Sequence, residues 1–78
     1  MLHILDAKYI ADYKISVAFD DGCCGVVDFE SVVKNDHRPI VRLLANLDVF
    51  RNFKIQANTI VWNNGVDSAP ENIKELIL

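Results

Sequence analysis

Side chains that could bind a metal ion or act as nucleophiles are few in this chain. Two adjacent cysteines, Cys23 and Cys24, follow an Asp-Asp-Gly turn, and the two histidines are His3 and His37. Neighbouring residues of a strand point to opposite faces, so the two thiols are poorly placed to chelate one tetrahedral ion or to form a disulfide together. Cys-x-x-Cys and His-x-x-x-His spacings are absent. We therefore predict no metal site, no cofactor and a reducing compartment.

The sequence motifs that activate a catalytic nucleophile are also absent. No Gly-x-Ser-x-Gly elbow is present, and no motif that activates a cysteine nucleophile is visible. The carboxylates of Asp28, Asp67 and Glu71 could transfer protons. However, a turn explains Asp67, and a capping box that begins at Ser68 explains Glu71. We predict that the protein is not an enzyme and has no catalytic residues. A deep pocket around Asp28 or Cys23 would be needed to support an enzymatic function.

The basic residues in the middle of the chain are the more promising group. Eight Lys+Arg and eleven Asp+Glu give a net charge of −3, which disfavours non-specific binding to nucleic acid or to an anionic membrane. A local basic face between Arg38 and Lys54 would nevertheless suit an acidic protein surface, or alternatively RNA or DNA. The residues that we predict to contact a partner are Arg38, Arg42, Arg51, Lys54, Trp62, Asn64 and Asp67. For Trp62, a buried core anchor and an interface hot spot both remain open.

Length and composition indicate a small globular protein. The 78 residues are 51% hydrophobic and 24% charged, which predicts one domain over residues 1–78 with a thin core. So high an apolar content predicts exposed apolar surface for another protein or for a second copy of the chain. No apolar run approaches the roughly 20 residues of a membrane span, and no signal peptide is apparent. We therefore predict a cytoplasmic protein without membrane contact.

Hydrophobic periodicity predicts five strands. They are Leu2–Ile10, Tyr13–Phe19, Cys23–Phe29, Phe53–Gln56 and Thr59–Trp62. The second strand alternates most clearly, with Ile15, Val17 and Phe19 on one face. An Asp-Gly turn follows it and predicts a hairpin, while Gly25 is expected to mark a bulge in the third strand.

The first three strands are predicted to form an antiparallel meander with one apolar face. Helices are needed to cover that face. Glu30–Lys34 is expected to form one helical turn. Pro39 opens an amphipathic helix that ends near Asn46 and continues as an irregular single turn. Its predicted apolar stripe consists of Ile40, Leu43, Leu44 and Leu47. The last helix carries Ile73, Leu76 and Ile77 on one side.

The predicted fold class is α+β. It combines an antiparallel three-stranded meander and a second hairpin, packed against one amphipathic helix and a short C-terminal helix. Neither strand order nor oligomeric state follows from the residue pattern.

Several motifs give this chain a family resemblance. They are Phe19-Asp20-Asp21-Gly22, Val27-Asp28-Phe29, Leu44, Leu47-Asp48, Phe50 and Thr59–Glu71. With them the chain resembles the bacterial domain-of-unknown-function family 2442, whose signature is usually Trp-Pro-Asn-Gly, then Asp, then Pro-Glu. Asn63 stands in place of the usual proline, so the turn is expected to be less rigid.

The resemblance implies an α+β fold and no known activity. Some relatives carry a helix-turn-helix DNA-binding domain, and others are encoded beside small proteins that look like toxins. By this analogy we predict a non-catalytic protein-binding or adaptor module, antitoxin-like in kind. The alternative is a nucleic-acid-binding regulator that uses the Arg38–Lys54 face.

Overall fold

The computed structural model describes residues 1–78, and its strands form two antiparallel sheets. The first sheet has the order β1-β2-β3, with β1 at Ile4–Ala11, β2 at Lys14–Phe19 and β3 at Cys24–Asp28. The second is a hairpin of β4, Phe53–Gln56, and β5, Thr59–Trp62. The backbone N–H of Ile4 donates to the carbonyl of Asn58 at 2.9 Å, which joins the hairpin to the start of β1. The predicted meander and second hairpin are both confirmed.

Alternation in β2 orients the first sheet. Ile15, Val17 and Phe19 are all buried, whereas the intervening residues are only half-buried. Gly22 has φ +85° in the turn that leads to β3, a conformation that glycine adopts without steric cost. The apolar face of the meander is therefore the one that the alternation predicts.

The expected bulge at Gly25 is absent. Gly25 pairs with Val17 in unbroken register, and the register shifts lie in β1 instead. The lack of a side chain at Gly25 instead allows close packing, because a Cβ built on it would lie 2.8 Å from Cγ2 of Ile77. The missing side chain thus leaves space for the C-terminal residues against β3.

The helices are short. They are α1 at Glu30–Asn35, α2 at Pro39–Arg42, a 3₁₀ turn at Leu43–Ala45, α3 at Leu47–Phe50 and α4 at Pro70–Lys74. The helical run that begins at Pro39 stops at Asn46, as predicted. Asn46 is extended (φ −74°, ψ 117°), and its side-chain oxygen accepts a 2.9 Å hydrogen bond from the N–H of Asp48, which caps α3. None of these helices has the length and apolar content that crossing a membrane requires.

The predicted apolar stripe of that run is wrong. Leu44 is buried, but Ile40, Leu43 and Leu47 are 43%, 57% and 38% exposed, and Val41 is buried instead. The stripe assumed one continuous helix of 3.6 residues per turn. Because the chain tightens to a 3₁₀ turn, where side chains at i and i+3 eclipse, Val41 and Leu44 align on the inner face.

The core is centred on Phe50, which is completely buried. Its ring centroid lies 5.3 Å from that of Tyr13, 5.9 Å from that of Phe29 and 5.7 Å from that of Trp62. The aromatic contacts join the meander, α3 and the hairpin. Such pairs add about 0.5–1.5 kcal/mol each beyond the burial of their area.

The turn of the second hairpin carries local strain that one substitution should relieve. Ala57 and Asn58 have φ of 53° and 67°, as a type I′ turn requires, yet alanine has no side-chain group to compensate for positive φ. We expect Ala57→Asn to raise the free energy of unfolding by about 0.5–1 kcal/mol, measured by urea denaturation. Ala45→Asn, at an exposed 3₁₀ alanine, is the control and should not stabilise. Equal effects of the two substitutions would contradict the turn argument.

Candidate functional site

A groove lies where α1, α2 with the 3₁₀ turn that follows it, the end of β5 and α4 meet. It encloses about 300 Å³. Its floor and walls are apolar, and its rim is polar. The apolar residues are Phe29, Val32, Val33, Val41, Leu44, Trp62, Val66 and Leu76, and the polar ones are Arg38, Asp67, Ser68, Asn72 and Glu75.

Trp62 joins the groove to the core. Its side chain is 2% exposed, its indole Nε1 donates to the carbonyl of Phe50 at 2.6 Å, and its ring meets the edge of Phe29 at 5.5 Å between centroids. The indole N–H is therefore satisfied inside the protein. Trp62 is a core residue whose ring also lines the groove.

Arg38 supplies the only cation of the rim, and this cation is already paired. Its Nε lies 3.1 Å and 3.2 Å from the two carboxylate oxygens of Asp36, and its Nη2 lies 2.8 Å from Oδ2. This side-chain contact, with a hydrogen bond from the backbone N–H of Arg38, lowers the pKa of the Asp36 carboxyl. The side-chain contact also raises the pKa of Arg38. The Arg38 side chain is exposed and that of Asp36 is half-buried, so the pair serves mainly to fix the guanidinium.

The two carboxylates of the rim have no such partner. Asp67 and Glu75 are exposed, and neither takes part in any of the five ion pairs of the protein. The backbone of Asp67 forms an isolated bridge with Val61, which fixes the start of the loop that leads to α4. The rim thus has two unpaired negative charges, one in the loop before α4 and one directly after that helix.

The other predicted contact residues lie outside the groove. Arg51 donates to Asp48. Asn64 is structural, because its Nδ2 donates to the carbonyl of Ile40 at 3.0 Å and ties the turn after β5 to α2. Arg42 and Lys54 are exposed, on α2 and β4 respectively, without an ion pair. Of the predicted residues, the structure brings together Arg38, Trp62 and Asp67 in the groove.

Several groove residues escaped prediction. Asn72, Glu75 and Leu76 lie outside the Thr59–Glu71 motif, and together with Val66 they meet α1 only through the tertiary fold. The proximity of Val66 to the Trp-Asn-Asn-Gly turn was the one local signal available. No periodicity marks a groove that is assembled from four separate elements.

The cysteines lie away from the groove. Cys23 is half-buried against the core and Cys24 is exposed, and both are free thiols. No group of three or more His, Cys, Asp or Glu side chains is arranged to hold a metal ion. Nδ1 of His3 lies 3.5 Å from Oδ2 of Asp20.

The C-terminal wall of the groove is attached to the first sheet. Ile77 forms a bridge with Val27, and the N–H of Leu78 donates to the carbonyl of Val26 at 2.9 Å. Ile73 is completely buried, while Leu76 and Ile77 pack half-buried against the core. All three residues predicted to face inward do so, but only Ile73 lies on α4, because the helix ends at Lys74 before Leu76 and Ile77.

The predicted capping box of that helix is wrong. The helix begins at Pro70, its N-cap is Ala69, and no side chain caps it. A residue before proline is driven to extended backbone, and Ala69 has ψ 142°, so Ser68 lies one position too early to cap. Ser68 instead accepts a hydrogen bond at its carbonyl from Oγ1 of Thr59.

An ion pair between Lys74 and Asp21 makes the attachment of α4 sensitive to acid. The hydrogen bond from Lys74, with one from the N–H of Cys23, lowers the pKa of Asp21 below its ordinary value of 3.8. A folded-state pKa below the unfolded one means that the stabilisation is fully present above the unfolded pKa. It is lost as the pH falls through the lower, folded value.

We therefore expect Asp21→Asn to weaken the fall in stability between about pH 5 and pH 2, followed as the urea midpoint at each pH. The effect should be small, because both side chains are 39% exposed and water screens their interaction. Glu71→Gln removes an exposed carboxylate of α4 that makes no ion pair, and serves as the control. The same acid slope in wild type and Asp21→Asn would contradict this role of the ion pair.

Comparison with known proteins agrees with the motif pattern. Residues 4–77 match the family described as "Protein of unknown function (DUF2442)". No curated protein and no solved structure matches the chain. Since the family match covers nearly the whole chain, the protein belongs to the DUF2442 family.

Proposed function

We propose that this protein is a non-catalytic binding module of the bacterial cytoplasm, whose groove receives an apolar side chain of a partner protein. The observation that carries the proposal is the groove itself, with its apolar floor and polar rim. An antitoxin that holds a toxin protein is one form that such an adaptor could take.

The size of the groove suits a side chain. Its volume of about 300 Å³ is at the lower limit of the range, about 300–1,000 Å³, that small-molecule sites occupy. Interface hot spots are likewise well-packed pockets in which an aromatic or aliphatic anchor loses its water. An apolar anchor of a partner segment would bury its surface against Val41, Leu44 and Trp62.

The rigidity of the floor also favours binding. Phe29, Val33 and Trp62 are 3%, 2% and 2% exposed and belong to the core cluster, so an incoming side chain does not have to order them. Binding to a pre-organised site avoids part of the entropy that association costs. The nucleic-acid alternative is less well supported, because Arg38 and Arg51 already donate to carboxylates of this chain.

The proposal is tested by blocking the groove. Asn72 is exposed on α4 and lines the groove, while its neighbour Glu71 is exposed but does not line it. Asn72→Phe would fill the mouth, and Glu71→Phe is the matched control. Both leave Trp62 as the only tryptophan, so its fluorescence reports directly on the floor of the groove.

Synthetic peptides enriched from a displayed random library by the wild-type protein would be titrated against both variants. We expect Asn72→Phe to weaken their binding about tenfold or more, which corresponds to about 1.4 kcal/mol, and Glu71→Phe to leave it unchanged. Circular dichroism would first establish that both variants are folded. Failure to enrich any peptide, or equal binding to the two variants, would overturn the proposal.

A further inference from the structure

We propose that the partner segment carries a lysine or arginine beside its apolar anchor, and that Asp67 and Glu75 recognise this basic residue. The inference rests on the proposed function of the groove and specifies the chemistry of its partner. It follows from which charges at the groove are already paired and which are not.

The cations on the bordering helices are largely occupied. Arg38 on the rim is held by Asp36, with its closest contact at 2.8 Å. Lys34 of α1 contacts Glu30 at 3.2 Å, and Lys74 of α4 donates to Asp21. Arg42 of α2 has no ion pair, but its side chain does not line the groove.

The carboxylates of the rim are free by contrast. Asp67 lies in the loop before α4 and Glu75 lies just after that helix, and both line the groove without an ion pair. Glu71, in the first turn of α4, is also exposed but does not line the groove. The unpaired charge on the rim of the groove is therefore negative. Its sign is opposite to that of the basic face that the residue pattern predicts.

A basic residue complements this arrangement better than any other. Its aliphatic stem can lie along apolar wall residues such as Val66 and Leu76 while its charged end reaches a carboxylate. Hydrogen bonds between a guanidinium or ammonium and a carboxylate are stronger than neutral ones, and partial exclusion of water strengthens them. An acidic residue at the same place would meet two like charges, which selects against acidic partners.

The experiment uses the displayed random library on the full chain. Peptides that bind the wild-type protein are expected to combine an aromatic or large aliphatic residue with a nearby lysine or arginine. One such synthetic peptide is then titrated against an Asp67→Asn and Glu75→Gln double variant. We expect about tenfold weaker binding at low salt and a smaller difference at high salt, because the screening of exposed charges grows with ionic strength.

Two controls separate this inference from the proposed function. Glu71→Gln removes an acidic charge from α4, outside the groove, and should change binding little. A peptide analogue with glutamine in place of the basic residue should lose affinity for the wild type but not for the double variant. If peptides are blocked by Asn72→Phe yet are indifferent to both charge changes, the groove binds a partner and the basic specificity is overturned. If Asn72→Phe does not weaken peptide binding, the proposed function itself is overturned.

Discussion

Trp62→Ala is expected to leave the protein largely unfolded at room temperature. Removing a buried tryptophan side chain typically costs about 3–5 kcal/mol. Trp62 is 2% exposed and contacts the rings of Phe29, Phe50 and Phe53, so the cavity would lie between the hairpin and α3. A domain of this size draws only about 3–5 kcal/mol of net stability from its core. Far-UV circular dichroism and urea denaturation would measure the loss.

The conservative variant Trp62→Phe separates packing from hydrogen bonding. It keeps an aromatic ring at the floor but removes the Nε1 donor that satisfies the carbonyl of Phe50. Leaving a buried acceptor unpaired costs about 1–3 kcal/mol, so this variant should fold with reduced stability. A Trp62→Ala protein with the unfolding midpoint of the wild type would show that Trp62 is not a core anchor.

Gly25→Ala is expected to loosen the C-terminal segment from the first sheet. The new Cβ would lie 2.8 Å from Cγ2 of Ile77, and the branched side chain of isoleucine cannot rotate away freely. Overpacking costs about 1–3 kcal/mol, which outweighs the roughly 0.5–1 kcal/mol gained when alanine replaces glycine in a strand. The φ of Gly25 is not positive, so the backbone itself accepts alanine.

The effect of this substitution should reverse in sign when Ile77 is shortened. In an Ile77→Ala background the clash is absent, and Gly25→Ala should be neutral or stabilising by about 0.5–1 kcal/mol. Hydrogen exchange at the amides of Leu78 and Asp28, which bond across this junction, would locate the loosened segment. Equal destabilisation in both backgrounds would rule out the contact with Ile77 as the cause.

Local chemistry made much of the fold predictable. The bounds of Phe53–Gln56 and Thr59–Trp62 were predicted without error, because a two-residue turn separates two β-prone runs. The buried face of β2 followed from strict alternation. Both features depend only on residues that are close in the chain.

The errors arose where local rules compete. At Ser68 the capping pattern conflicts with the constraint that Pro70 places on Ala69, and the proline constraint prevails. At Leu43 a 3₁₀ turn replaces the α-helical period on which the stripe was based. Neither outcome can be read from residue types alone.

The candidate site was predictable only in part. Trp62 and Asp67 stand out in the turn motif, and Arg38 stands out by charge. The pairing of Arg38 with Asp36 and the approach of Glu75 to the groove depend on tertiary geometry. This is why charge counting predicted a basic face, whereas the assembled groove is lined by unpaired acids.

The docked C-terminal residues also have a consequence for self-association. A strand at the border of a sheet presents unpaired N–H and C=O groups that can recruit another chain into an aggregate. On β3 the carbonyl of Val26 is occupied by Leu78, and the N–H of Asp28 is directed to Leu76. The opposite border, β1, is interrupted by register shifts and flanked by the hairpin. The C-terminal residues that dock on β3 therefore also shield the edge of this strand from pairing with another chain. A variant that releases these residues would expose that edge.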